Sequence, residues 1–239
     1  MESPRPPSLT AGSVRVATWN IHGGVGRDGK YDVARIVAVV QELQADVVAL
    51  QEVSFMDSDD GCLKGMTSLL GYTVVAGRTD RRHGAAYGNA LLSRFPLESW
   101  TLIDLTVPPH EQRGAINAAI RINDNRVRVI CTHLGLRPYE RRQQVQRILA
   151  FMQGERADSV VLMGDVNEWL LWGRPLRWLH RAFRRQKTPA TFPAGYPIFA
   201  LDRIWTQPRG TLSRLIAHRS ALASVASDHL PLVAELQLG

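Results

Sequence analysis

The sequence predicts two packed β-sheets with helices on their outer faces. Three observations point there. Many short apolar segments read as strands, while few stretches carry helical spacing. No repeat recurs at a fixed period. No run rich in Gly, Pro or Ser divides the chain, so residues 13–239 are expected to form one domain behind a short Pro/Ser-rich tail, 1–12.

Ser13 to His22 alternates as a strand running into a loop, with Val14, Val16 and Thr18 set against Arg15 and Ala17. Asp32 to Gln44 has helical spacing: Val33, Ile36, Val37, Val40 and Leu43 share a face and Asp32 can cap it. Asp46 to Val53 is nearly continuously apolar, as in a buried strand. A short helix is expected over Cys62 to Leu70, then strands at Tyr72–Gly77, Asn89–Ser93, Ser99–Leu105, Ala115–Ile122 and Val127–His133, with Asp124-Asn125 turning the last pair into a hairpin. Tyr139 to Met152 reads as an amphipathic helix, with Val145, Ile148, Leu149 and Met152 facing inward. Ser159–Met163 is a buried strand and Pro175–Phe183 a basic helix. Asp202–Trp205, Leu212–Ala217 and Leu230–Leu238 are further strands.

Hydrophobic residues make up 45% of the chain, enough for a sizeable core, and no apolar run approaches the roughly 20 residues of a membrane helix. The start of the chain lacks the apolar segment of a signal peptide. Of two cysteines, Cys131 ends an apolar run and reads as a small buried hydrophobe, while Cys62 follows an acidic turn. Nothing favours their pairing, and a reducing cytoplasm is the expected setting. The net charge of +7 favours anionic partners: phosphates, nucleic acid or anionic lipid surfaces.

Polar residues recur where strands end. Asn20 follows Val16–Trp19, Gln51-Glu52 follows Val47–Leu50, and Thr132-His133 follows Val127–Cys131. Asp165 and Asn167 follow Val160–Met163, Asp202 follows Ile198–Leu201, and Asp228-His229 precedes Leu230–Val233. Each alone is an ordinary loop residue; together they can converge on one site held by a rigid scaffold. Carboxylate and amide oxygens suit a hard cation such as Mg²⁺ or Mn²⁺. A histidine oriented by a carboxylate can move protons near neutral pH. No closely spaced thiolate pair suggests structural zinc.

The ordered series of motifs resembles the endonuclease/exonuclease/phosphatase superfamily, which includes deoxyribonuclease I, apurinic endonucleases, neutral sphingomyelinases and inositol polyphosphate 5-phosphatases. The segments are Thr18 to Gly23, Gln51-Glu52-Val53, Gly88 to Arg94, Arg113-Gly114, Thr132-His133-Leu134, Gly164-Asp165-Val166-Asn167, Leu201 to Ile204 and Ser227 to Leu232, so the likeness runs from about residue 14 to the C-terminus. It implies an α/β (α+β), four-layer sandwich of two mixed sheets with helices outside, like deoxyribonuclease I. It also implies one or two Mg²⁺ or Mn²⁺ ions. By this resemblance Glu52 is the main metal ligand, assisted by Asn20, and Asp165 and Asn167 position the water, the phosphate or a second metal. Asp202 orients His229 for proton transfer, Asp228 lies beside the metal, and His133 donates to the phosphate. Arg113 is a candidate phosphate clamp, because its fork suits phosphate oxygens; Asn89 is a second candidate there.

Departures from the pattern carry information. Apurinic endonucleases usually have an acid where His22 stands and lack a histidine at His133, which argues against abasic-site repair. Deoxyribonuclease I has a glutamate partner for its first histidine near the position of Gly88 and Asn89, where this chain has no acid. A bacterial subgroup shares His133 to Arg137, Thr191 to Pro193 and Leu201 to Ile204.

For the substrate, basic residues cluster at Arg78, Arg81, Arg82 and His83; at Arg137, Arg141, Arg142 and Arg147; and from Arg174 to Lys187, near Trp169, Trp172, Trp178 and Phe183. DNA cut by a monomeric endonuclease is the first expectation, with the clusters tracking the backbone and aromatics stacking on bases. The alternative is a lipid-headgroup or inositol-phosphate phosphoesterase, with Leu170-Leu171-Trp172 and the basic helix touching an anionic membrane.

Overall fold

A computed structural model describes residues 13–55, 61–82, 85–154, 157–208 and 210–238. The tail 1–12 and His83 lie outside the described residues.

The chain folds as a four-layer α/β sandwich. One sheet has six strands, in the order β10 (Leu212–Ala217), β11 (Leu232–Gln237), β1 (Ser13–Asn20), β2 (Val47–Phe55), β4 (Ala85–Ser93) and β3 (Thr73–Arg82). The other has five: β5 (Leu97–Asp104), β6 (Gly114–Ile122), β7 (Asn125–His133), β8 (Ser159–Asp165) and β9 (Asp202–Gln207). Both sheets are mixed: β1 runs parallel to β2 and β7 parallel to β8, and the other pairs are antiparallel.

Three apolar layers hold the four layers together. Val16, Ala49, Leu91, Val129, Val161 and Ile204 fill the space between the sheets. Ile36, Val40 and Leu43 of α1 (Val33–Leu43) cover the outer face of the first sheet, together with Met66 of α2 (Gly61–Ser68) and the short α5 (Ala223–Ala226). Val145 and Ile148 of α3 (Pro138–Met152) and Leu176 and Leu179 of α4 (Arg174–Ala182) cover the second. The Asp32 side chain caps α1 by accepting from the Arg35 amide. Among the described residues, no helix is long and apolar enough to cross a membrane.

Several boundaries differ from the sequence reading, for local reasons. The hairpin between β6 and β7 turns on Asn123-Asp124, with Asn123 at φ 53°, and Asn125 already pairs with Ile122. Asparagine tolerates this left-handed conformation, so the turn sits one residue earlier than Asp124-Asn125. Asp165 is the last residue of β8 and not part of a turn after it. Ile198–Leu201 is not a strand; Phe199 makes only an isolated bridge to Phe192, and Asp202 opens β9. The pair β3–β4 is longer than expected, and α5 carried no periodic signal.

Candidate active site

Strand register brings the predicted residues of the second sheet into one row. His133 pairs with Asp165, and Asp165 with Asp202, across β7, β8 and β9. Two residues away on the same pleat face, Cys131, Met163 and Ile204 belong to the core between the sheets. The row therefore continues that core to its open end and replaces apolar side chains with polar ones.

The first sheet supplies Asn20 and Glu52 from the ends of β1 and β2. Between Leu50 and Val53, β2 carries one more residue than β4, and Glu52 adopts φ 59°. Such a bulge re-aims a side chain; here it leaves Glu52 half-buried beside Asn20. The Asn20 Nδ2 donates to Glu52 Oε1 and to Asp165 Oδ2, both at 3.1 Å, so the two sheets meet at this amide. The Tyr87 hydroxyl donates to Glu52 Oε2 at 2.6 Å.

His229 arrives from the loop before β11. Its Nδ1 is 2.9 Å from Asp202 Oδ2, which also accepts from the Thr191 hydroxyl. Its Nε2 lies 3.8 Å from Asp165 Oδ2. The Trp19 indole donates to the His229 carbonyl, the Ser227 hydroxyl donates to the Asn20 carbonyl, and the Phe192 ring packs 4.8 Å from the imidazole. Burial alone disfavours the imidazolium, but the Asp202 carboxylate, helped by Asp165 and Asp228, outweighs it and pushes His229 up to about 10. Burial also pushes the Asp165 carboxyl up to about 6, against the pull of His229.

The remaining predicted residues lie around this core. Asn167, at φ 50°, donates from Nδ2 to the Leu134 carbonyl at 2.9 Å and faces His133 Nε2 at 3.0 Å. Arg113 is buried, with one arm 2.9 Å from His133 Nδ1 and the other on Glu111 at 2.6 Å. Asn89 is also buried and donates to the Gly114 carbonyl, joining β4 to β6. Asp228 is half-buried, with Oδ1 3.3 Å from the Ser227 hydroxyl oxygen.

The donor set fits a divalent cation. Asp165, Asp202 and His229 place ligand atoms within 4.8 Å of one another. However, Asp202 Oδ2 and His229 Nδ1 are engaged with each other, which leaves only Asp202 Oδ1 and His229 Nε2 of that pair for a cation, so the oxygens of Glu52 and Asp165 fit it better. The Asn20 amide bonds both carboxylates, and the imidazoles of His133 and His229 lie 3.6 and 3.8 Å from Asp165 Oδ2. Hard oxygen donors of this kind suit Mg²⁺ or Mn²⁺ better than a thiophilic metal.

The sequence reading missed Tyr87, Thr191, Phe192 and Ser227, which support the polar residues. Thr191 and Phe192 fall in a motif shared with the bacterial subgroup and Ser227 opens the last of the superfamily motifs, which were the available signals. Arg141, read as part of a basic cluster, is buried instead: its guanidinium pairs with Glu168 at 3.2 Å. A large concavity lies away from the site, between α3 and α4, and is lined by Leu149, Met152 and Trp178.

Comparison with known proteins agrees with this architecture. The profile of the Endonuclease/Exonuclease/phosphatase family matches residues 17–229. The uncharacterized protein YbhP of Escherichia coli (strain K12) is 30% identical over 247 residues, covering 95% of this chain and 97% of its own. The endonuclease/exonuclease/phosphatase structure from Beutenbergia cavernae superposes with a TM-score of 0.79 at 24% identity, over 95% of this chain and 72% of that one. The human Nocturnin catalytic domain with bound sulfate gives 0.72 at 21% identity, over 99% and 100% of the two chains. The chain belongs to the endonuclease/exonuclease/phosphatase family, whose members are hydrolases of phosphoester bonds.

Proposed function

We propose that the protein is a metal-dependent phosphodiesterase. One juxtaposition carries this reading: the row His133–Asp165–Asp202 faces His229, with the Asn20 amide lying between Glu52 and Asp165. Glu52 and Asp165, with Asn20, would hold Mg²⁺ or Mn²⁺, and Asp228 stands beside them. When bound there, the cation would supply neutralisation of phosphate charge and of the charge that develops on the leaving oxygen. Asp165 and Asn167 orient a water for attack on phosphorus, and the ester P–O bond opposite it breaks. His229, held by Asp202, exchanges the proton of this reaction. His133 donates a hydrogen bond to a phosphate oxygen.

The test is hydrolysis of bis(p-nitrophenyl) phosphate by the purified chain with Mg²⁺ or Mn²⁺. His229→Ala should abolish it, and so should EDTA. Activity that survives EDTA would contradict the mechanism.

Positive charge supports DNA as the substrate, cut internally. The net charge is +7, and the β3 end that carries Arg78, Arg81 and Arg82 pairs with β4 at Gly88, Tyr87, Ala86 and Ala85, next to Tyr87 and Glu52. Nicking of plasmid by the parent protein and not by His229→Ala would support that substrate; equal nicking by both would reveal contamination. A second reading, a phosphoester in a lipid headgroup, is favoured by a specific observation: Leu170, Leu171 and Trp172, which follow Asn167 closely in the chain, are exposed.

A further inference from the structure

We infer that the rim formed by the loops around Leu136, Leu171 and Tyr196 is a docking surface for an anionic lipid bilayer. The site beside it then acts on a phosphoester in a lipid headgroup. This rests on the phosphodiesterase reading above and names its substrate class.

The rim is apolar where a surface should be polar. Leu136, Leu170, Leu171, Trp172, Tyr196 and Ile198 are between 47 and 79% exposed. A cluster of such size marks an interaction site. It adjoins the catalytic residues: Trp169 follows Asn167 by two positions and packs against Phe192 and Phe199, and Phe192 packs on His229.

The apolar tips are held in place. The Arg141 guanidinium donates to the Gly135 and Leu136 carbonyls and pairs with Glu168, whose Oε1 accepts from the Leu170 amide. One buried ion pair thus ties the loop of Leu136 to the loop of Leu170–Trp172.

Charge selects the kind of bilayer. From Trp169 to Leu201 the chain has no Asp or Glu, yet it carries Arg174, Arg177, Arg181, Arg184, Arg185 and Lys187. Arg174, Arg177 and Arg181 recur at helical spacing on α4 and are exposed, directly after the Trp172 tip. Apolar tips beside a basic face are the pattern of a surface that lies on anionic lipid. Nucleic acid fits less well. Bases stack on aromatic rings, whereas four of these six exposed side chains, Leu136, Leu170, Leu171 and Ile198, are aliphatic and have no π-face.

The experiment is co-sedimentation of the full chain with vesicles containing phosphatidylglycerol and with vesicles of phosphatidylcholine alone. The parent protein should bind the first and bind the second more weakly. The double variant Leu171→Glu/Trp172→Glu should lose most of this binding. Arg174→Glu/Arg177→Glu should weaken it by at least about fivefold per arginine. All variants should hydrolyse bis(p-nitrophenyl) phosphate at the parent rate, which also shows that they are folded, while hydrolysis of phospholipid in vesicles falls. Failure of the parent to bind anionic vesicles, or equal binding by the variants, would overturn the inference. Salt-sensitive binding of DNA that the same variants lose, without vesicle binding, would assign the rim to nucleic acid and overturn it as well. Equal binding to both vesicle types would refute the anionic preference. Vesicle binding without hydrolysis of the small diester under Mg²⁺ or Mn²⁺ would instead refute the phosphodiesterase reading and leave the docking surface standing.

Discussion

The Arg113 guanidinium lies 2.9 Å from Nδ1 of His133. Both nitrogens of this imidazole face a donor, since Asn167 Nδ2 lies 3.0 Å from Nε2. A neutral ring accepts at only one of them. The guanidinium can do nothing but donate, so Nδ1 accepts from it. Nε2 lies 3.6 Å from Asp165 Oδ2. The Arg113 guanidinium is itself braced by Glu111 at 2.6 Å. We therefore expect Arg113 to position His133. In Arg113→Met, kcat on bis(p-nitrophenyl) phosphate should fall on the order of 10²-fold, as misplacement of a catalytic group does, while KM stays nearly constant. In a His133→Ala background the same substitution should add little. A raised KM at unchanged kcat would make Arg113 a phosphate clamp instead.

The Asp202–His229 pair predicts a pH dependence of stability. The folded-state value of His229 is raised, from 6.5 to about 10. Its contribution is then fully present below about pH 6.5 and is lost as pH rises through about 10. The metal-free protein should therefore lose Tm across that window more steeply than Asp202→Asn, which removes the carboxylate that holds the proton. An NMR titration of the imidazole in the metal-free protein reads the same effect directly. The imidazolium should persist to about pH 10 in the parent and titrate lower in Asp202→Asn. Identical titrations would show that Asp202 does not hold the charge.

Glu52 should govern cation affinity. Glu52→Gln removes the charge and leaves the shape, so the dissociation constant for Mn²⁺, read by calorimetry, should rise by at least about tenfold. Tyr87→Phe removes only the hydroxyl that orients Glu52 Oε2. Loss of such an outer partner costs roughly 10–100-fold in metal affinity, so a smaller loss of the same kind is expected. Unchanged affinity in Glu52→Gln would remove Glu52 from the ligand set.

Much of the fold and of the polar row could be read from the sequence, because buried strands leave long apolar runs and the polar residue that ends each run stands out. Less legible were features that depend on partners distant in the chain. Arg141 sits among basic residues and reads as solvated, and only the fold brings Glu168 to it. Asn89 reads as a polar strand residue, and only the second sheet supplies the Gly114 carbonyl it bonds. Asp202 reads as the end of a strand because Ile198–Leu201 is apolar, yet those residues form no strand: Ile198 is exposed at the rim and Leu201 is buried. Gly164 is intermediate: its place before Asp165 was visible, but its reason was not. At φ 150° a Cβ here would lie 1.9 Å from the Thr132 carbonyl oxygen on the neighbouring strand. A carbonyl in a strand ladder cannot move aside, so only glycine lets β7 and β8 pair closely enough to set His133 beside Asp165.

The Arg141–Glu168 pair offers a test of how the rim is held. Both side chains are almost fully buried, 3% and 2% exposed. Removing one partner leaves the other charged in the interior without compensation, which typically costs about 3–5 kcal/mol. Arg141→Met and Glu168→Leu should each lower Tm strongly, whereas the double variant, with neither charge, should recover much of the loss. Because Arg141 also donates to the Leu136 carbonyl and Glu168 accepts from the Leu170 amide, the recovered protein should still have loosened loops. Hydrogen exchange read residue by residue would register faster exchange at the Leu170 amide in the double variant, with β7 and β8 unchanged. Equal protection of that amide in parent and double variant would mean that packing of Trp169 on Phe192 and Phe199 alone fixes the loop.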